Sequence, residues 1–338
     1  MPQQLAEILS ALPLAAILIG RNQQIEQAND AALALLGPAI IGRHHGFALR
    51  QPEVLGAISA ALLRGETSVA RQVLPGPSHE VVHRVSVSPV GTGAMCLFQD
   101  ISDQEQSEQM RRDFVANVSH ELRTPLTSLL GFIETLRGPA KDDPVARARF
   151  LGIMATEAGR MNRLISDLLN LSRVEAQERQ RPSTRHDLTA LIRSAILSLR
   201  PMAESVGVTL DYVGLEEPVL VFVDQDQVLQ VVTNLVENAI KYGASGKLVR
   251  IDLARQTGPR GPLVRLSVTD QGEGIDPLHI PRLAERFYRV DGHRSREKGG
   301  TGLGLAIVKH IAHRHRGRLV IESKLGEGST FSVILPGD

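Results

Sequence analysis

The sequence predicts a multidomain α+β chain in three parts: a small α+β domain, a helical hairpin that pairs into a dimeric four-helix bundle, and a C-terminal α/β sandwich. Three observations carry that expectation. Short apolar runs alternate with turn residues over about 12–100, and apolar residues recur at spacings of three and four over 103–176. From about 184 to 338, helix-like and strand-like segments alternate. A chain of 338 residues has room for two or three domains at ~100–200 residues each.

In the first part, Ala15-Ala16-Ile17-Leu18-Ile19-Gly20 reads as a strand, Arg21-Asn22-Gln23-Gln24 as a turn, and Ile25 as the start of a second strand. A helix is expected over 29–36, stopped by Gly37-Pro38. The alternating segment 81–89 and the run 94–98 complete an order of strand, strand, helices, strands. Cys96, the only cysteine, sits in the apolar run Met95-Cys96-Leu97-Phe98 and reads as a buried, inert thiol. A single cysteine excludes an intrachain disulfide and fits a reducing compartment.

In the second part, Val115, Val118, Leu122, Pro125, Leu129, Phe132 and Leu136 form an a/d seam, with a local bend expected at Pro125. Gly138-Pro139 and Asp142-Asp143-Pro144 interrupt it, and Leu151, Met154, Ala158, Met161, Ile165 and Leu168 form a second series. Two helices joined by a short loop make a hairpin, which cannot close a core alone; a homodimer is therefore expected. Arg179-Gln180-Arg181-Pro182-Ser183 reads as a linker. Beyond it, strands are expected at 219–223, 248–253, 264–270, 318–323 and 330–335, and helices at 187–205, 225–242 and 302–315.

Composition narrows the function classes. Hydrophobic residues make up 42% and charged residues 22%, as in an ordinary globular protein, and with no Trp the cores must rest on Leu, Ile, Val and Ala. A net charge of +1 supplies no field for nucleic acid or an anionic membrane. No run approaches the ~18 apolar residues of a membrane-spanning helix. The best candidate, 11–20, contains Pro13 and lacks a basic leader, so a cytoplasmic chain beginning at Met1 is expected.

Ser119-His120-Glu121-Leu122-Arg123-Thr124-Pro125 lies inside the first long helix, and the seam puts His120 on its outer face. An imidazole that titrates near neutrality keeps one ring nitrogen free to act as a nucleophile. Glu121 is placed to hydrogen-bond the other nitrogen and remove its proton, and Thr124, one turn on, to orient a water. A solvated surface histidine is the alternative.

Asn234, Asn238 and Lys241 share a face of the helix that ends near Tyr242. The two amides suit a hydrated Mg²⁺ bridging phosphates, Lys241 offers a cation, and Tyr242 offers a plane for a base. Helix-interior Asn is unfavourable, so two on one face call for a reason; a plain polar face is the alternative. Asp270-Gln271-Gly272-Glu273-Gly274 follows a strand, where Asp270 can accept a hydrogen bond from an exocyclic amine and Gly272 and Gly274 let backbone approach. Gly299-Gly300-Thr301-Gly302-Leu303-Gly304-Leu305 opens a helix and offers N–H groups to phosphate, although it is neither a P-loop nor a dinucleotide fingerprint. Segment 285–300 reads as a lid with Arg289 as a candidate phosphate contact, with a solvated loop as the alternative, and Gly326-Glu327-Gly328-Ser329-Thr330-Phe331 reads as a turn into the last strand and a candidate closure of the site.

Taken in order, these segments resemble the sensor histidine kinases of two-component systems over about 110–336, and the phosphate-regulon sensor subgroup in Arg286-Phe287-Tyr288-Arg289-Val290-Asp291 and the second glycine box. The resemblance implies a PAS-like sensor domain at 1–100, a dimerisation and phosphotransfer hairpin at 101–180, and a Bergerat-type ATP-binding domain at 181–338. It implies ATP and Mg²⁺, phosphorylation of His120 with Glu121 as general base, and transfer to a response-regulator receiver aspartate. Thr124 would serve dephosphorylation. The positions matching Asn238 and Asp270 bind Mg²⁺ and adenine in such kinases, and Asn234, Lys241, Tyr242, Gly272, Gly274, Arg289, Gly300, Thr301, Gly302, Leu303, Gly304 and Thr330 complete the expected nucleotide site. Phosphate-regulon sensors usually carry an N-terminal membrane anchor, and this sequence shows none. His44-His45 reads as an exposed pair rather than a haem or metal site. An ATP-gated clamp related to gyrase is the competing enzyme reading, which leaves the His-Glu-x-x-Thr-Pro run without a use, and a PAS-containing scaffold is the non-enzymatic one.

Overall fold

Period-2 burial in the first strands gives one sheet a face for helices to cover. The computed structural model describes residues 2–76, 80–178, 180–243, 246–259, 261–290 and 300–337, and the chain divides into two compact units, Met1–Val115 and Ala116–Asp338.

In the first unit, α1 (Pro2–Ala11) precedes β1 (Ala15–Ile19), β2 (Ile25–Ala28) and α2 (Asp30–Leu36); α3 (Pro52–Arg64) then leads into β3 (Ser68–Pro75), β4 (Glu80–Val90) and β5 (Gly93–Asp100). The strands form one antiparallel sheet in the order β2-β1-β5-β4-β3. Ile17, Ile19, Val85, Val87, Cys96 and Phe98 from the sheet pack with Ala32, Val54 and Ile58 from the helices. Buried Asn29 ties this layer together: its Oδ1 accepts from Ala32 N, capping α2, and from Ala16 N, both at 3.0 Å. Its Nδ2 donates to Leu14 O at 2.8 Å. α1, α3 and β3 are elements the sequence reading leaves unassigned. Burial pushes the Cys96 thiol up to about 12, as expected of an inert cysteine. His44 is exposed, but His45 is only 4% exposed and stacks on it at 4.4 Å. The pair is therefore half-buried rather than exposed, because the turn at His45–Phe47 folds the second ring inward.

The hairpin consists of α4 (Ser102–Arg137), which begins in the first unit, and α5 (Pro144–Gln177). Asp143 caps α5 through Val145 N and Ala146 N, with Pro144 at the first helical position, the arrangement its sequence favours. α4 is helical without interruption through Pro125, which is buried. Near the turn, Phe132 stacks on Phe150 at 5.3 Å. The α4 seam is half-buried from Val118 to Leu136, whereas Val115 is exposed. On α5 the most buried residues are Leu164, Leu171 and Val174; of the expected series Met154, Met161 and Leu168 are half-buried, whereas Leu151, Ala158 and Ile165 are exposed. Each helix carries two apolar stripes of similar spacing, and spacing alone did not separate them. The outer stripe exposes Leu126, Leu130 and Ile133 on α4 with Leu151, Ile165 and Leu169 on α5.

The remainder holds β6 (Arg185–Asp187), α6 (Leu188–Ser205), β7 (Thr209–Gly214), β8 (Leu220–Phe222), α7 (Gln225–Gly243), β9 (Leu248–Gly258), β10 (Gly261–Asp270), α8 (Gly304–Arg314), β11 (Arg318–Lys324) and β12 (Gly328–Pro336). The sheet runs β11-β12-β10-β9-β7, with only the β7–β9 pairing parallel among its described strands. β6 pairs with β8 separately. α6, α7 and α8 pack together, and α7 lies on the sheet. β6 and β7 were not expected from sequence; the short runs Arg185–Asp187 and Thr209–Gly214 carry too little apolar alternation to stand out. Buried His315 accepts from Asp224 N through Nε2 at 3.0 Å while Nδ1 faces Ile311 O at 2.8 Å, which fixes a neutral tautomer, and burial lowers its pKa. No helix among the described residues is long and apolar enough to cross a membrane.

Leu235 on α7 is fully buried. Leu235→Ala removes its packing and leaves a cavity, so a loss of about 2–5 kcal/mol is expected in denaturant unfolding of this unit.

Candidate functional site

α7 divides core from cleft. Val228, Val231, Val232, Leu235, Val236, Ala239 and Ile240 are buried on one side, while Gln230, Asn234, Glu237, Asn238, Lys241 and Tyr242 line a cleft of about 880 Å³ on the other. Asp270 at the end of β10, Glu273 and Gly274 after it, Tyr288 and Arg289, and Gly300, Thr301, Gly302 and Gly304 ahead of α8 complete most of the wall. The face expected for Asn234, Asn238 and Lys241 is thus the cleft face. Asn234 Nδ2 donates to Gly304 O at 3.4 Å, joining α7 to the glycine box. Lys241 is held by Glu237 at 2.7 Å.

Asp270 is 4% exposed, and its Oδ1 accepts from Gly272 N at 2.8 Å. Burial raises its pKa above the ordinary carboxylate value, against the opposing bonds from Gly272 and Ser329. A Cβ on Gly272 would lie 2.7 Å from Tyr242 O and 2.8 Å from that same Oδ1, so only glycine lets the turn close under α7. Gly272 therefore shapes the site from beneath rather than lining it. Gly302 has φ +73°, and its carbonyl accepts from Phe287 N at 2.8 Å, which fastens the glycine box to the preceding segment.

Two expected contacts are corrected. Leu303 is fully buried, because it leads α8 into the core; its backbone N–H bonds Thr301 Oγ1 at 3.3 Å. Thr330 bonds Thr269 Oγ1 at 3.0 Å across β10 and β12, while its neighbours Ser329 and Phe331 line the cleft. Strand alternation places Thr330 on the opposite face from both. Of the expected lid, residues 285–290 and Gly300 are described; Asp291 to Gly299 lie outside the described residues.

His120 is exposed on α4, as the seam predicts. Glu121 does not take up the expected bond to its ring: the carboxylate meets Arg160 Nη2 at 2.9 Å and Arg289 Nη2 at 3.3 Å. Both are charge-assisted bonds to a half-buried carboxylate, stronger than a bond between neutral groups. Thr124 Oγ1 donates to His120 O at 3.2 Å, one turn back along the helix. Arg289 belongs both to this cluster and to the cleft, and among the described residues its Nε is buried without a hydrogen-bond partner. α5 also reaches the cleft, through Arg163, Ser166 and Asp167, which the sequence reading missed. Their helical spacing marks a polar face, and nothing local says what that face meets.

A solvent-facing histidine on one helix, next to a glutamate that shares an arginine with a cleft of amides and glycines, joins the candidate phosphoacceptor to the candidate nucleotide site. Residues 110–177 match the "His Kinase A (phospho-acceptor) domain" family, and residues 223–338 the "Histidine kinase-, DNA gyrase B-, and HSP90-like ATPase" family. The chain is 43% identical over 242 residues to the phosphate regulon sensor protein PhoR of Pseudomonas aeruginosa, covering 70% of this chain and 53% of that protein. It is 35% identical over 341 residues to the sensor-like histidine kinase SenX3 of Mycobacterium tuberculosis, covering 99% of this chain and 80% of SenX3. The fold also resembles the crystal structure of histidine kinase ThkA in complex with response regulator protein TrrA, with TM-score 0.52, 21% identity and 98% of each chain covered. This chain belongs to the sensor histidine kinases of two-component systems, close to the phosphate-regulon sensors, and spans about half the length of the Pseudomonas relative (53%).

The raised pKa of Asp270 has a consequence for stability. The native state holds its proton to higher pH than the unfolded chain does, so the group's contribution falls as pH rises through the window above 3.8. Asp270→Asn removes that penalty: the variant is expected to gain stability relative to wild type between pH 4 and pH 7, read by paired denaturant melts at about those pH values.

Proposed function

We propose that this chain phosphorylates His120 from ATP, passes the phosphoryl group to the aspartate of a response-regulator receiver domain, and does so as a homodimer whose bundle covers the outer apolar stripe of the hairpin. The observation that carries the reading is Arg289, which lines the nucleotide cleft and bonds the glutamate next to His120.

The imidazole of His120 attacks the γ-phosphorus; the bond to ADP breaks as the phosphorus–nitrogen bond forms, and Glu121 takes the ring proton. Asp270 accepts from the adenine amine, Tyr242 lies against the base, and Lys241, Arg289 and the N–H groups of Gly300, Gly302 and Gly304 hold phosphates. The cleft fits a hydrated Mg²⁺: neutral amides of Asn234 and Asn238 face it, and among the described residues no cluster of three His, Cys, Asp or Glu offers a dedicated cage. When bound, Mg²⁺ neutralises charge between the phosphates; the protein's part is to place its two amides. Thr124 orients a water for dephosphorylation of the regulator. Residues 1–100 form the PAS-like sensor, 101–180 the phosphotransfer hairpin and 181–338 the ATP-binding domain; the single five-stranded antiparallel sheet flanked by helices supports the first assignment.

Incubation with γ-labelled ATP and Mg²⁺ tests the reading. Wild type should acquire acid-labile, alkali-stable label, and His120→Ala should fall to background while still binding ATP. Label retained on His120→Ala sinks the assignment. Asp270→Asn should weaken ATP binding by about tenfold or more, the worth of one hydrogen bond to a charged group. Thr124→Ala should leave autophosphorylation intact and slow loss of label from the regulator by about tenfold or more, the range of a positioned group acting on water.

A further inference from the structure

The hairpin helix α5 contributes a carboxylate to the wall of the cleft just where the glycine box meets it. Thr301 Oγ1 donates to Asp167 Oδ2 at 2.7 Å, and the same oxygen accepts from Leu303 N at 3.3 Å. Thr301 is thus turned toward α5, and its hydroxyl occupies the N–H of Leu303 in the segment expected to cradle phosphate. Asp167 and Thr301 both line the cleft, together with Glu237 and Lys241 of α7 and Arg163 of α5. Desolvation raises the pKa of Asp167, the bond from Thr301 lowers it, Glu237 raises it, and Lys241 and Arg163 lower it. Thr301 further lines a small cavity with Glu121, Pro125, Arg160, Met161 and Leu164, so the latch lies beside the phosphoacceptor helix.

We propose that Asp167 is a positioning residue of the nucleotide site: it fastens the glycine box to the hairpin through Thr301 in the nucleotide-free protein and is displaced when a triphosphate arrives. The inference rests on the ATP reading above. A triphosphate competes for the donors that Asp167 and Thr301 now occupy, and its negative charge is repelled by the carboxylate. Exchange of Thr301 from carboxylate to phosphate keeps every donor satisfied while it loosens the ATP-binding part from α5. Arrival of ATP thereby frees the movement that brings the γ-phosphate to His120.

The test compares wild type, Asp167→Asn and Asp167→Glu in the full chain, by calorimetric Mg·ATP binding, initial autophosphorylation rate and thermal unfolding. Asp167→Asn keeps an acceptor for Thr301 but loses the charge. It should bind ATP about fivefold tighter, the size of one unfavourable charge removed from a partly buried site, and lower the KM for ATP more than it changes kcat. Asp167→Glu restores the charge and should return affinity toward wild type, which a purely structural role of the side chain would not do. Equal or weaker ATP binding by a folded Asp167→Asn overturns the latch while leaving the kinase reading intact. Absence of ATP binding by wild type overturns both.

Discussion

Seven buried apolar residues on one side of α7 and a mainly polar row on the other set the geometry of the ATP-binding part. The buried side fixes the helix against the sheet and against α6 and α8, so the amides of Asn234 and Asn238 cannot rotate away from the cleft. The glycines act on the same constraint from the opposite wall. With no side chain at Gly272, the turn after β10 closes against Tyr242 and Gly243, and Asp270 stays buried at the floor. A charged group so placed is unfavourable by itself, and the fold retains it with two backbone donors that hold the carboxylate in one orientation.

The hairpin and the ATP-binding part meet through a series of polar pairs in addition to helix packing. Arg289 and Arg160 converge on Glu121, Arg286 bonds Glu175 at 2.5 Å, Thr301 bonds Asp167, and His310 lies 3.2 Å from Glu178. Half-buried ion pairs of this kind give little net stability because desolvation offsets attraction, yet they are specific in direction and register. An apolar seam of the same area would hold the two parts more firmly and would exchange partners less readily. The pairs suit a contact that must form, release and re-form.

Much of this was legible in the sequence. The change of apolar period located the hairpin, α7 and α8 to within a few residues of their ends, and the outward position of His120 followed from the α4 seam alone. The cleft face of Asn234, Asn238 and Lys241 followed from helical spacing, and Asp270 and Gly302 from their turn chemistry. What escaped has physical causes. β6 and β7 are too short, or too mixed in polarity, to show a period. On α5 two apolar stripes of equal spacing compete, and only the packing of α4 chooses between them. Leu303 and Thr330 were drawn into the site by neighbours in sequence, whereas the entry of α8 into the core and strand alternation turn them away. Asp167 and Arg160 had no local signal, because their roles are defined by residues more than a hundred positions distant or on the other helix of the hairpin.

The polar pairs also link the cleft to the helix that carries His120. Glu121 is the expected base, and in this arrangement its carboxylate bonds the guanidinium groups of Arg160 and Arg289. Arg289 is the expected phosphate contact, and one of its donors is spent on Glu121 while its Nε is buried without a partner among the described residues. A single exchange of partners would satisfy it. If Arg289 turns to phosphate, it gains the bidentate partner its fork geometry prefers and gives up its bond to Glu121. Arg160, which lies on α5 and not on the ATP-binding part, keeps the carboxylate in place meanwhile. Arg289 thereby couples the cleft to the glutamate beside His120, so a ligand that recruits its guanidinium changes the hydrogen bonding of that glutamate.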